Sequence, residues 1–171
     1  MKIFLIVILF TFSALAQNPS SRVASACGPQ GASFDVTLDN SQPTIAQPLL
    51  DKAQVYFIQD EGAKSLGFGG TVVSMIGIDG QWVGGNKNSS YFSVLVEQGE
   101  HHLCAKVQSH SGHPIELAHF IAEPGKIYYF REKIIPTDTS FGNYLFLSLV
   151  DSDEARYLIN SYPLSVSQPK K

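Results

Sequence analysis

Between Val96 and Lys106 the chain reads VEQGEHHLCAK, a run that carries two histidines, a cysteine and two carboxylates. Imidazoles, thiolates and carboxylates are the side chains that hold zinc or copper and that move protons in hydrolysis. His110, His113 and His119 follow a short way on. A zinc site needs three or four such groups converging at ~2.0–2.3 Å. Adjacent side chains on a strand point to opposite faces, so one ion cannot easily use both His101 and His102. The set that could converge is His102 with His119 across paired strands, closed by a loop residue, His110 or His113. In HPIELAH (113–119), Glu116 and His119 face opposite ways on a strand, and the H-E-x-x-H pattern of zinc proteases is missing. A simpler reading makes the opening run a turn and a strand, with His101 or His102 bonded to a neighbouring carbonyl. No metal and no cofactor are expected, and His102, His113 and His119 are the weak metal candidates.

Nucleophilic chemistry has less support. There is no G-x-S-x-G elbow, and Ser167-Gln168-Pro169-Lys170 matches S-x-x-K only in a terminal tail, where nothing preorganises the lysine. GFGGTVV (67–73) lacks the spacing and the following helix that a phosphate loop needs. No catalytic residue is assigned, and a non-enzymatic chain is expected. For ligand binding the best stretch is QWVGGNKNSSYF (81–92). Trp82 and Tyr91 could offer stacking surfaces, with Asn86 and Asn88 bonding a glycan or peptide. The competing reading buries Trp82 in the core and leaves the asparagines to shape a loop.

The elements that position these residues are strands. Short β-branched and aromatic runs lie at 53–58, 72–78, 81–83, 91–96, 101–107, 115–122, 127–133 and 144–150, cut by glycine and proline turns. Asp79-Gly80 suits a two-residue hairpin, while Gln98-Gly99 and Pro124-Gly125 suit tight turns. GGNKNSS (84–90) reads as a polar loop. DSDEARYLINSY begins with a capping box and presents Ala155, Leu158, Ile159 and Tyr162 on one face, so it is a helix, stopped by Pro163. The fold class is therefore all-β: an immunoglobulin-like or transthyretin-like β-sandwich of about seven to eight strands with one C-terminal helix.

Four regions follow. Residues 1–16 are a signal peptide: Lys2 precedes the apolar run Ile3–Phe12, and Ala14-Leu15-Ala16 fits the cleavage pattern. That run is too short to span a bilayer, and no later one reaches ~20 apolar residues, so no transmembrane segment is expected in the mature chain. Residues 17–50, with four prolines, form an extended arm carrying one short edge strand around Phe34–Leu38. Residues 51–150 are the sandwich, and 151–171 the helix followed by a partly ordered tail. The 171-residue chain carries a formal net charge of −3 and has no basic block beyond Lys170-Lys171, which argues against a nucleic-acid partner. Cys27 and Cys104 are the two cysteines of an exported chain and can form one disulfide. Cys104 shares a strand face with His102 and Lys106, where a passing N-terminal segment could reach it. The alternatives are a free buried thiol, or lipidation of Cys27.

KAQVYFI (52–58), IDGQWVGGNKNSSYFSVLVEQGEHHLC (78–104), LAHFIAEPGKIYYFR (117–131) and VDSDEARYLINSYPLSV (150–166) resemble, in order, a family of small exported bacterial proteins catalogued as domain of unknown function 2846. The turn motifs E-x-G-E-H-H-L and A-E-x-G-K-x-Y-Y carry most of the likeness. The resemblance implies an immunoglobulin-like or transthyretin-like sandwich, often lipid-anchored or periplasmic, with no established activity and no catalytic residues to add. This chain departs from the lipobox cysteine of many relatives in having an alanine-type cleavage site. It points to a binding or accessory role toward an envelope protein or glycan. The alternative function is a histidine-based metal-binding protein or metal-dependent hydrolase. Oligomeric state is not legible.

Overall fold

Apolar runs of six to eight residues, ended by turn-forming residues, favour strands over helices, and strands dominate. The computed structural model describes residues 23, 25–41, 45, 49–60, 71–108, 115–136 and 143–170. The expected signal peptide (1–16), the segment 61–70, and His110 and His113 lie outside the described residues. The first strands are β1 (Phe34–Asp39), β2 (Ala53–Asp60), β3 (Val73–Ile78), β4 (Gln81–Lys87) and β5 (Ser90–Val96). Then come β6 (Gly99–Val107), β7 (Glu116–Ala122), β8 (Ile127–Pro136), β9 (Asn143–Leu149), helix α1 (Ser152–Ser161) and β10 (Leu164–Pro169). Six strands form one sheet in the order β1-β10-β5-β2-β8-β9, and four form the other in the order β4-β3-β6-β7. The fold is an all-β sandwich with one helix near its C-terminal end.

Strand β2 is covered on both faces, which explains its unbroken apolar run. Ala53, Val55 and Phe57 enter the space between the sheets, while Tyr56 and Ile58 lie beneath α1 with Ala155, Leu158 and Ile159. Phe57 stacks between Phe92 and Phe130 at 5.4 and 5.8 Å, and Phe120 of the facing sheet meets Phe130 edge-on at 5.2 Å. Asp151 caps α1 by accepting from the N–H groups of Asp153 and Glu154, both at 2.9 Å. The capping box is only half formed, because the Glu154 carboxylate is drawn to the Arg131 guanidinium at 2.7 Å instead.

Three expectations need correction. Ten strands are present among the described residues rather than seven or eight. The run Gly84–Lys87 is not loop but the second half of β4, after a bulge that leaves Val83 without a partner: Ile76 pairs with Gly84 and Gly77 with Trp82. Its glycines mark close approach, not flexibility. A Cβ on Gly85 would lie 2.4 Å from the Ser74 carbonyl oxygen, and one on Gly84 would lie 3.0 Å from the Phe92 ring. The third correction is the tail, which is strand β10, paired along its whole length with β1. LSVSQP lacks a strong apolar face because hydroxyls hold it. Ser167 Oγ accepts from Gly85 N–H at 2.9 Å and donates to its carbonyl at 3.0 Å, and Ser165 meets Ser90 at 2.7 Å. The arm does carry an edge strand, β1, as its alternation suggested.

The β1–β10 ribbon bends around β4 and closes that flank of the sandwich. On the opposite flank both sheets end, in β7 and in β9, which lie beside each other and have no further strand partner among the described residues.

Candidate functional site

Period-two alternation assigns each residue of the opening run to a face. His101, Leu103, Ala105 and Val107 of β6 turn inward, and His102, Cys104 and Lys106 turn outward. His101 is buried against Phe120. Its Nδ1 lies 2.6 Å from Asp79 Oδ2 and its Nε2 lies 2.8 Å from the Glu97 carbonyl. Both partners are acceptors, so a ring that satisfies both is an imidazolium. Partial burial pulls the His101 pKa down, but the Glu97 carbonyl and the Asp79 carboxylate outweigh it and hold the pKa above the usual histidine value. The pair locks the β3–β4 hairpin to the β5–β6 turn. That role is structural.

On the outer face, Cys104 is bonded to Cys27, with Cα atoms 5.1 Å apart. The residues around Cys27 lie flat on the four-stranded sheet because β3 has no side chain beneath them: a Cβ on Gly77 would sit 2.7 Å from the Ala26 carbonyl oxygen. Trp82 covers the disulfide, donating from Nε1 to the Pro29 carbonyl at 2.8 Å, with Lys106 Nζ 4.8 Å from its ring centroid. It therefore fills neither the sandwich core nor an open stacking platform.

The other residues of that platform do not converge. Asn86 is fully buried between the sheets and donates to the Phe57 carbonyl at 3.1 Å and to Glu132 Oε1 at 2.7 Å. Asn88 takes a left-handed turn (φ 56°) and accepts from Val72 N–H at 3.1 Å. Tyr91 is buried on the far face of the six-stranded sheet, 6.4 Å from the Tyr56 ring.

What the sequence reading missed is Glu132. It is fully buried, bonds Ser74 Oγ and Asn86, and carries a pKa pushed up to about 7 by burial, against the pull of those two bonds. Ser74 has one proton and faces two oxygens, Gln59 Oε1 at 2.9 Å and Glu132 Oε2. With the Gln59 amide in this orientation, Ser74 Oγ donates to one of the two oxygens at a time. Gln59 Nε2 has no hydrogen-bond partner among the described residues. Phe130, Glu132 and Ile134 alternate along β8, so the inward direction of Glu132 was readable from period two. The cluster is closed to solvent and ties the sheets together.

The accessible chemistry lies elsewhere. A groove of about 400 Å³ on the outer face of the four-stranded sheet is lined by Ser25, Ala26, Glu100, His102, Leu117, Ala118 and His119. His102 and His119 are direct partners in the β6–β7 register, so both rings lie on this face. The third weak metal candidate, His113, lies outside the described residues. Among the described residues no group of three or more His, Cys, Asp and Glu side chains is placed to hold a metal ion. Beside the groove the free flank exposes Leu117 and Ile121 (68 % exposed) of β7, with Ile115 just before the strand, and Tyr144, Phe146 and Leu149 of β9. No helix among the described residues is long and apolar enough to cross a membrane. No protein-family model matches the chain, and comparison with curated proteins and with solved structures finds no match.

Proposed function

We propose that the protein is an exported, non-enzymatic binding module of the bacterial envelope, and that it takes its partner on the free flank of the sandwich beside the outer-face groove. The observation that carries this reading is the pair of edge strands, β7 and β9, which have no further strand partner among the described residues and expose Ile, Leu, Tyr and Phe side chains. Exposed edges with apolar side chains accept added strands, and soluble domains ordinarily blunt them with charge, proline or bulges. Strand β9 (NYLFLSL) has none of these. The favoured partner is an extended segment of an envelope protein rather than a glycan, because the aromatic rings of Trp82 and Tyr91 are already used in packing. Export is supported by the pattern of residues 1–16 and by the Cys27–Cys104 disulfide, a bond characteristic of oxidising compartments. Membership of the family that the sequence resembles would fit the same role.

The test is a pull-down from envelope extract with the mature protein and with a Leu117→Lys, Ile121→Lys variant. Both side chains are solvent-exposed, so the variant keeps its fold, checked by circular dichroism. A set of proteins retained by the parent and released by the variant supports the reading. An identical set from both, or turnover by the parent in a hydrolase screen, overturns it.

A further inference from the structure

We infer that His102 and His119 form a two-imidazole site for a divalent transition-metal ion on the outer face of the four-stranded sheet. Asp79 is the residue that turns β3 into β4. Its carboxylate accepts from the His102 N–H at 2.9 Å, and its own N–H donates to the His102 carbonyl at 3.0 Å. Both backbone groups of His102 therefore aim toward β3 and away from β7. Where a strand residue turns its N–H and C=O away from one neighbour, its opposite number on that neighbour is a non-hydrogen-bonded partner. In such pairs the Cα atoms are about 4.5 Å apart, against about 5.5 Å in the hydrogen-bonded kind, and the side chains are closer. His102 and His119 are that kind of pair, on one face, both exposed and both lining the groove.

Two neutral imidazoles presented side by side make a chelate with open positions, which water or a further donor completes. Nitrogen donors select copper, nickel and zinc over calcium and magnesium, and among divalent ions copper(II) binds such a site most tightly. Protons compete for the same ring nitrogens, so binding weakens as the solution is acidified. The site needs no docked polypeptide and stands apart from the reading given above.

The experiment titrates untagged mature protein with copper(II), zinc and magnesium chlorides by calorimetry, alongside electron paramagnetic resonance of the copper form. The parent takes up copper(II) with hyperfine coupling to two imidazole nitrogens, takes up zinc more weakly and shows no heat with magnesium. His102→Gln and His119→Gln each lower copper affinity by at least about 10-fold, the loss seen even when groups surrounding a metal ligand are disturbed. Each leaves one coupled imidazole. Both side chains face solvent, so circular dichroism is unchanged. A parent that binds no copper, or a double variant that binds it as tightly as the parent, overturns the assignment.

Discussion

Two residues, Glu132 and His101, change stability with pH in the same direction. The Glu132 pKa is raised to about 7 in the fold, so folding favours the protonated carboxyl. Its stabilisation is complete below the ordinary carboxylate range and is lost as pH rises through about 7, a change of about 3 kcal/mol at 1.36 kcal/mol per pKa unit. His101 is also raised, so the His101–Asp79 lock is strongest below the ordinary histidine value and fades as pH climbs past the folded value. Urea unfolding should therefore show stability falling between pH 5 and pH 8. Glu132→Gln places an amide where the neutral carboxyl stands, donating to Ser74 and accepting from Asn86. It should flatten most of that slope and make the variant more stable than the parent at pH 8. A slope unchanged by the substitution would mean that Glu132 is ionised throughout.

At the scale of elements, the strands that bury apolar side chains were legible and those held by polar bonds were not. The β2, β5, β6 and β8 runs show their burial in their residue types, and the α1 face of Ala155, Leu158 and Ile159 was readable from its period. Strand β10 was not, because its partner β1 lies far away in sequence and its anchor is a pair of hydroxyl bonds to the β4 backbone. Glycines 84 and 85 looked like loop residues for a related reason: composition cannot separate glycine that bends from glycine that makes room. Of the candidate site, the cross-strand meeting of His102 and His119 was foreseeable from spacing. The groove beside it was not, since it depends on where Ser25 and Ala26 come to rest. Ser167→Ala should cost about 1–2 kcal/mol for two lost hydrogen bonds, and it should speed amide exchange in β10 and β1 while leaving β8 untouched. Uniform exchange across the sheet would contradict the account of how the C-terminal strand is held.

For the molecule as a whole, the two flanks have opposite characters. The β1–β10 ribbon closes one, and the Cys27–Cys104 bond pins the chain leading into it. A crosslink joining residues 77 apart stabilises by about 4–5 kcal/mol when treated as a restriction of the unfolded chain. The other flank ends in β7 and β9, which have no further strand partner among the described residues, and each strand exposes apolar side chains on its outer face, where sheet edges are ordinarily protected. The most direct measurement places a photo-crosslinking amino acid at Ile121 on β7, and in a second preparation at Tyr157, equally exposed on α1, and irradiates each in envelope extract. Discrete protein adducts from position 121 and none from position 157 are the predicted result. Adducts equal at both positions, or arising from the helix alone, would contradict it.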